Sequence, residues 1–235
     1  MLPYSSPFLS GQARRTQATR KYFYDQVPWE DAPLTLDLGC GNGTITLELA
    51  LNTPYVTAIG IDIDPTLLSK AVKNSDHNAV HYLLADATTL PFRSNLFSFT
   101  LDHFTLMWIE KYRLALKEAY RTLRTGGLFA SIEPDYNGRI EAPLRLSDTK
   151  PLAPPIIEYL HNLGANPYLG SQLPLALNKE GYKRIRFGVL AWEFNKPAAQ
   201  KEIRGEANLL KAHGIPWTPP RFTFTPIFWV LGEKT

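Results

Sequence analysis

Apolar and polar positions follow two different spacings along this chain. Leu34, Leu36 and Leu38 recur at every second residue, the spacing of a strand, and the run ends in glycines at alternate positions, Gly39, Gly41 and Gly43. A helical pattern follows at once with Ile45, Leu47, Leu49 and Ala50. Residues Thr57 to Ile63 read as a second buried strand, and Asp64-Pro65 reads as a helix start. A third strand closes on Leu84-Ala85-Asp86, and a fourth covers Leu96 to Phe104. Between Trp108 and Arg124, Ala115, Ala119 and Leu123 form one helical stripe, with Gly126 as the expected C-cap. Leu128 to Ile132 is the expected fifth strand. Strands alternating with helices predict an α/β fold.

The flanks are less regular. Gln12 to Asp25 is helix-compatible and carries Arg14, Arg15, Arg20 and Lys21, followed by the aromatic cluster Tyr22-Phe23-Tyr24. Residues 141–170 are proline-rich and break the alternation. Helices are expected from about Pro154 to Leu163, ending at Gly164, and from about Ser171 to Glu180, ending at Gly181. Tyr182 to Phe194 gives a sixth strand, Pro197 to His213 a helix, and Phe222 to Leu231 a seventh strand.

With 235 residues, 44% of them hydrophobic, the chain can bury a sizeable core. Its one cysteine, Cys40, excludes an internal disulfide and suggests a reducing compartment. The N-terminal basic residues are followed by no long apolar run, so a signal peptide is not expected. The stretch from Phe222 to Leu231 contains Pro226 and is too short to span a membrane. These features predict a soluble, cytoplasmic protein. No Cys/His spacing suggests a metal site. Residues 179–235 hold ten Lys or Arg against five Asp or Glu, within a net charge of +3 for the whole chain. That bias suits an anionic partner, or simply a solvated face.

The glycine turn carries the chemistry. Strand, glycine turn and helix in that order form a nucleotide-type ligand site, because glycine lets a ligand approach the main chain. A dinucleotide fingerprint would need a small residue where Thr44 stands, and a phosphate loop would need Gly-Lys-Ser/Thr. Asp37, inside the strand, would repel a pyrophosphate and suit an amino group. Leu36-Asp37-Leu38-Gly39-Cys40-Gly41-Asn42-Gly43 resembles the first motif of class I S-adenosylmethionine-dependent methyltransferases. The resemblance spans about residues 10–232 and is strongest over 34–134, where it is similar to small-molecule enzymes of the ubiquinone- and menaquinone-biosynthesis type. It implies a doubly wound, seven-stranded, mostly parallel sheet with the last strand antiparallel. It also implies a single domain over 1–235, with an N-terminal helical lid (1–30) and helical insertions at 141–181 and 195–220.

Residue roles follow from the matching motifs. Asp62 stands 23 residues past Gly39, where an acid binds ribose hydroxyls, with Ile63 beside it. Asp64 is expected to cap the next helix. Asp86 and the backbone N–H of Ala87 are expected at the adenine amino group, though a turn aspartate would look the same. Asp102 is expected to offer its backbone carbonyl to the cofactor amino group, with Phe104 beside it. His103 is the candidate catalytic base, or a shaper of the pocket. Tyr22, Trp108, Glu133, Tyr136 and Arg139 are candidate substrate contacts. The resemblance thus implies methyl transfer from S-adenosylmethionine to a small molecule by in-line displacement, releasing S-adenosylhomocysteine. An RNA or protein methyltransferase and a non-catalytic binding module are the alternatives. Nucleic acid is not an expected partner, and the pattern sets no oligomeric state.

Overall fold

The computed structural model describes residues 6–29, 33–52, 55–142, 154–190, 204, 207–208, 210–215 and 222–235. Two short helices, α1 (Ser6–Arg15) and α2 (Gln17–Tyr24), precede the sheet. The helix-compatible region over 12–25 thus divides at Thr16, whose φ of −99° and ψ of 7° leave the helical region. Next come β1 (Leu34–Leu38), α3 (Thr44–Asn52), β2 (Thr57–Asp62), α4 (Pro65–Asn74), β3 (Val80–Leu84) and β4 (Phe97–His103). A 3-10 turn (Leu106–Trp108) leads to α5 (Tyr112–Thr122) and β5 (Leu123–Pro134). After a second 3-10 turn (Tyr136–Gly138) follow β6 (Ile140–Ala142), α6 (Pro154–Asn162), α7 (Leu169–Lys179), β7 (Lys183–Leu190), β8 (Phe222–Phe224) and β9 (Ile227–Glu233).

Seven strands make one sheet in the order β3-β2-β1-β4-β5-β9-β7. The first five are parallel, and β9 runs antiparallel between β5 and β7. Strand order turns around at β1 and β4, so the carboxyl ends of β1, β2 and β4 open on one crevice. Buried side chains pack on both faces. Leu36, Leu38, Ile61 and Phe129 meet α5, α6 and α7 on one side, while Ala58, Phe99, Leu101 and Ala130 meet α2 and α3 on the other.

Several elements differ from the sequence reading. Gly126 is not the cap of α5: Leu123 caps it, donating its N–H to the Ala119 carbonyl, and β5 begins there. Gly126 instead donates to the carbonyl of Lys234 across the sheet edge at 2.7 Å. The expected seventh strand over 222–231 is two strands, because Pro226 interrupts it. Phe222–Phe224 pairs with Ile140–Ala142 in a separate two-stranded sheet, and Ile227–Glu233 joins the main one. The expected helix over 197–213 falls largely outside the described residues, as do residues 191–194 of the sixth strand. Asp64 caps α4 as expected, accepting from the N–H groups of Thr66 at 2.8 Å and Leu67 at 3.4 Å. No helix among the described residues is long and apolar enough to cross a membrane.

Candidate active site

A cavity of about 510 Å³ lies at the carboxyl ends of β1, β2 and β4, within the size range of small-molecule sites. One wall is Asp37, Gly39, Cys40, Gly41, Asn42, Asp62, Ile63, Asp86 and Ala87. The rest of the lining comes from α1 (Leu9, Gln12, Ala13) and from His103, Phe104, Met107, Trp108 and Tyr136.

The glycine turn is held by the acids around it. Asp62 accepts the Gly41 N–H at 2.8 Å on one carboxylate oxygen and the Asp64 N–H at 2.9 Å on the other. The Ile63 backbone also bonds to Asp62, and a carboxylate with about four acceptor sites keeps capacity for a ligand hydroxyl. Gly41 has a φ of +55°, and a Cβ there would point beside Leu9 at the cavity wall. Gly43 serves packing instead. It does not line the cavity, and a Cβ there would lie 2.3 Å from the Tyr82 hydroxyl. Asn42 contacts the lid helix, its side-chain amide donating to the Ser10 hydroxyl at 3.1 Å. Cys40 is buried, which pushes its thiol well above the usual range, so it acts as a small filler.

Asp37 is buried under the turn and accepts the Thr46 hydroxyl at 2.6 Å. Burial, against that hydrogen bond, pushes its carboxyl up to about 7. Asp86 is exposed and accepts the Thr88 N–H and hydroxyl, both at 2.8 Å, on the same oxygen. The turn bonding anticipated for it is thus present, with its other oxygen left out of that turn.

Asp102 and Glu133 point the other way. Neither lines the cavity; both are fully buried beneath it. Asp102 accepts from the Ser131 hydroxyl at 2.5 Å and the Leu106 N–H at 3.1 Å, and Glu133 accepts the Met107 N–H at 3.1 Å. Burial pushes Asp102 up to about 7; burial and then the charge of Asp102 push Glu133 well above the carboxylate range. The pair caps the 3-10 turn that carries Met107 and Trp108 to the wall.

Among the expected substrate contacts, Trp108 and Tyr136 line the cavity, whereas Tyr22, Glu133 and Arg139 do not. Tyr22 is 38% exposed on the outer side of α2, edge-on to Trp229 with ring centres 5.4 Å apart. Arg139 is buried behind Tyr136, its guanidinium 5.6 Å from that ring centre and donating to the Thr225 hydroxyl at 3.1 Å.

His103 reaches the wall with its Nε2 2.7 Å from the Thr16 hydroxyl. Its ring stacks on Phe104 at 4.4 Å. Phe104 has a φ of +56°, a strained conformation for a bulky residue of the kind that gathers at functional sites. Burial, and then the charge of Arg20, hold the His103 imidazole well below its ordinary value, so the ring is neutral. Arg20 is 0% exposed and forms a two-point ion pair with Glu48, at 2.8 and 2.6 Å. Tyr24 donates its hydroxyl to the same carboxylate at 2.9 Å. Sequence reading missed this cluster. Its one signal was the four-residue spacing of Thr16, Arg20 and Tyr24, which puts them on one helical face.

Residues 36–131 match the family model of the methyltransferase domain. Sheet order and matched segment agree. Over this segment the chain is similar to methyltransferase domains, and its sheet order is that of the class I S-adenosylmethionine-dependent methyltransferase fold. Among similar proteins, the malonyl-[acyl-carrier protein] O-methyltransferase of Enterobacter lignolyticus is 32% identical over 120 residues, 50% of this chain and 46% of that protein. The human mitochondrial arginine-hydroxylase NDUFAF5 is 31% identical over 122 residues, 50% of this chain and 34% of that protein. The match thus spans between about a third and a half of these relatives' own length. The solved structure of Haemonchus contortus phosphoethanolamine N-methyltransferase 2 with S-adenosyl-L-methionine superposes with a TM-score of 0.67 at 16% identity. It covers 94% of this chain and 52% of that one, a likeness of fold.

Proposed function

We propose that this protein transfers a methyl group from S-adenosylmethionine to a small-molecule acceptor, releasing S-adenosylhomocysteine. The observation that carries the reading is one cavity lined by two chemically unlike groups of residues. Acids and glycine-turn backbone form one, and aromatic and apolar side chains with a neutral His103 form the other.

The donor set fits the cofactor. Asp62 keeps acceptor capacity for ribose hydroxyls after holding the turn. Asp86 and the Ala87 N–H suit the adenine edge, with exposed Ile63 beside them. Gly39 and Gly41 leave the main chain open to the ligand. Asp37 lines the same end with a carboxyl held at about 7 by burial, and a bound amino group beside it would favour its charged form. When bound, the cofactor supplies an activated methyl group on a sulfonium. The chain must then hold the acceptor in line with that methyl and keep water out. Trp108, Tyr136, Met107 and Phe104 are suited to both tasks, and orientation of this kind supplies roughly 7–11 kcal/mol at best. His103 is read as a shaper of the pocket: protonating it would add charge beside a buried guanidinium.

A protein-borne acceptor is the second reading, favoured by the similarity to a malonyl-[acyl-carrier protein] O-methyltransferase. Titration calorimetry with S-adenosylhomocysteine, followed by metabolite-library turnover read as S-adenosylhomocysteine release, tests the proposal. No binding would overturn it. Binding with release only when protein substrates are supplied would replace it with the second reading.

A further inference from the structure

Thr16 sits where the two N-terminal helices break, 1% exposed, and its hydroxyl reaches a residue 87 positions away in sequence. A hydroxyl has one hydrogen and two lone pairs. The Arg20 guanidinium donates to Thr16 at 2.6 Å and takes one lone pair. The Gln12 carbonyl, at 3.1 Å, and the His103 Nε2, at 2.7 Å, share what is left. Either the hydrogen goes to Gln12 and the His103 Nε2–H donates to Thr16, or the hydrogen goes to Nε2 and the ring carries its own proton on Nδ1. In both arrangements Nε2 is committed to the hydroxyl, and the ring's hydrogen bond to its own backbone, which Nδ1–H must donate when Nε2 faces Thr16, selects the second. Phe104 fixes the ring plane from the other side.

Arg20 is itself anchored. Its fork grips Glu48 on α3, the helix that begins directly after the glycine turn, and donates to the Ala13 carbonyl at 2.8 Å. Glu48, Arg20, Thr16 and His103 thus run as one connected chain from the helix behind the turn, through both lid helices, to the end of β4. Leu9, Gln12 and Ala13 of the same lid line the cavity. We infer that Thr16 is the positioning residue for His103 and couples the orientation of that ring to closure of the N-terminal helix pair over the cavity. The inference rests on the reading of the cavity as the cofactor site.

The test uses the full chain with Thr16→Val, which removes the hydroxyl and keeps the shape, and Thr16→Ser, which restores it. Imidazole ¹⁵N shifts of His103 are recorded at neutral pH on histidine-labelled protein, and S-adenosylhomocysteine affinity is measured by calorimetry. Wild type and Thr16→Ser should show one tautomer; Thr16→Val should show averaged shifts and roughly two- to tenfold weaker binding, the range for one lost neutral hydrogen bond. A fixed tautomer and unchanged affinity in Thr16→Val would overturn the inference. So would the same averaging in Thr16→Ser, because the methyl contact and not the hydroxyl would then be responsible. Failure of the wild type to bind S-adenosylhomocysteine would instead sink the reading of the cavity, while the nitrogen shifts still decide the Thr16–His103 link.

Discussion

Glu48→Gln removes a charge and little else, and that makes it the sharpest probe of the lid. Arg20 is 0% exposed and the Glu48 side chain 12% exposed, so the pair is shielded from water on nearly every side. Arg20 spends its fork on Glu48, Thr16 and the Ala13 carbonyl, and its only opposite charge among these partners is Glu48. Breaking one side of a buried pair costs about 3–5 kcal/mol, because the other charge stays buried without compensation. For a chain of this size, about 2–4 °C in Tm accompany each kcal/mol, so a fall of roughly 6–20 °C is expected by thermal denaturation. The loss has a ceiling. If undocking α1 and α2 is easier than global unfolding, the variant takes that route, and limited proteolysis will cut near Thr16 before the sheet melts. Arg20→Met combined with Glu48→Leu should recover most of the loss, since both charges go together. It should leave about 1–3 kcal/mol for the buried Tyr24 hydroxyl, which then lacks its carboxylate partner. A Glu48→Gln loss below about 1 kcal/mol with the protease pattern of wild type would refute the reasoning, since a surface pair costs no more than that.

Asp62→Ala should weaken S-adenosylhomocysteine binding by about 1.5–3 kcal/mol in calorimetry, the range for hydrogen bonds to a charged acceptor, with part of the loss coming through the released Gly41 N–H. Gly41→Val should abolish the thermal shift given by S-adenosylhomocysteine, because its side chain enters the cavity beside Leu9 from a left-handed backbone. His103→Ala should lower kcat by less than about tenfold, against 10²–10⁴ for loss of a general base. The folded chain resists protonating His103 while the unfolded chain takes the proton near 6.5, so this stability contribution holds above that pH and fades as pH falls below it. His103→Asn should therefore flatten the loss of stability between about pH 6.5 and 5. Asp37 and Asp102, pushed up to about 7, slope the opposite way, so the difference between variant and wild type at each pH is the quantity to measure.

The acids and glycine turn of the cavity were legible because each of these parts is local. A strand, a glycine turn and a helix start within fifteen residues, and Asp37, Asp62 and Asp86 each sit at or just past the end of a parallel strand. Parallel pairing then brings the strand ends together without further information. The same logic explains the Asp64 cap, set by the proline after it. Errors cluster where the decisive partner is far away. Gly126 looked like a cap until the Lys234 carbonyl, over a hundred residues later, took its N–H. Glu133 looked like a mouth residue because it follows a strand. The register against Phe228 and the turn at Met107 turn it inward, next to Asp102.

The lining that does not come from the acids and the glycine turn was the hard part for a related reason. In sequence Arg20 is one of four basic residues in the helix-compatible region from Gln12 to Asp25, and arginine is almost never fully buried without a partner. Its partner, Glu48, lies on a helix 28 residues later whose own pattern is apolar, and nothing in either segment names the other. The fold makes the pair by laying α2 against α3, and once made it sets what lies beyond it. A buried cation next to His103 denies that ring a second proton, and Thr16 takes up one of its nitrogens. The most base-like residue of the sequence is thereby turned toward shaping the pocket. An acceptor that presents a nucleophile already free of its proton is served by such a site as it stands. An acceptor that must lose a proton first would need the lid to open and release His103, and the two cases separate in the Thr16→Val variant, which should leave the first rate nearly unchanged and alter the second.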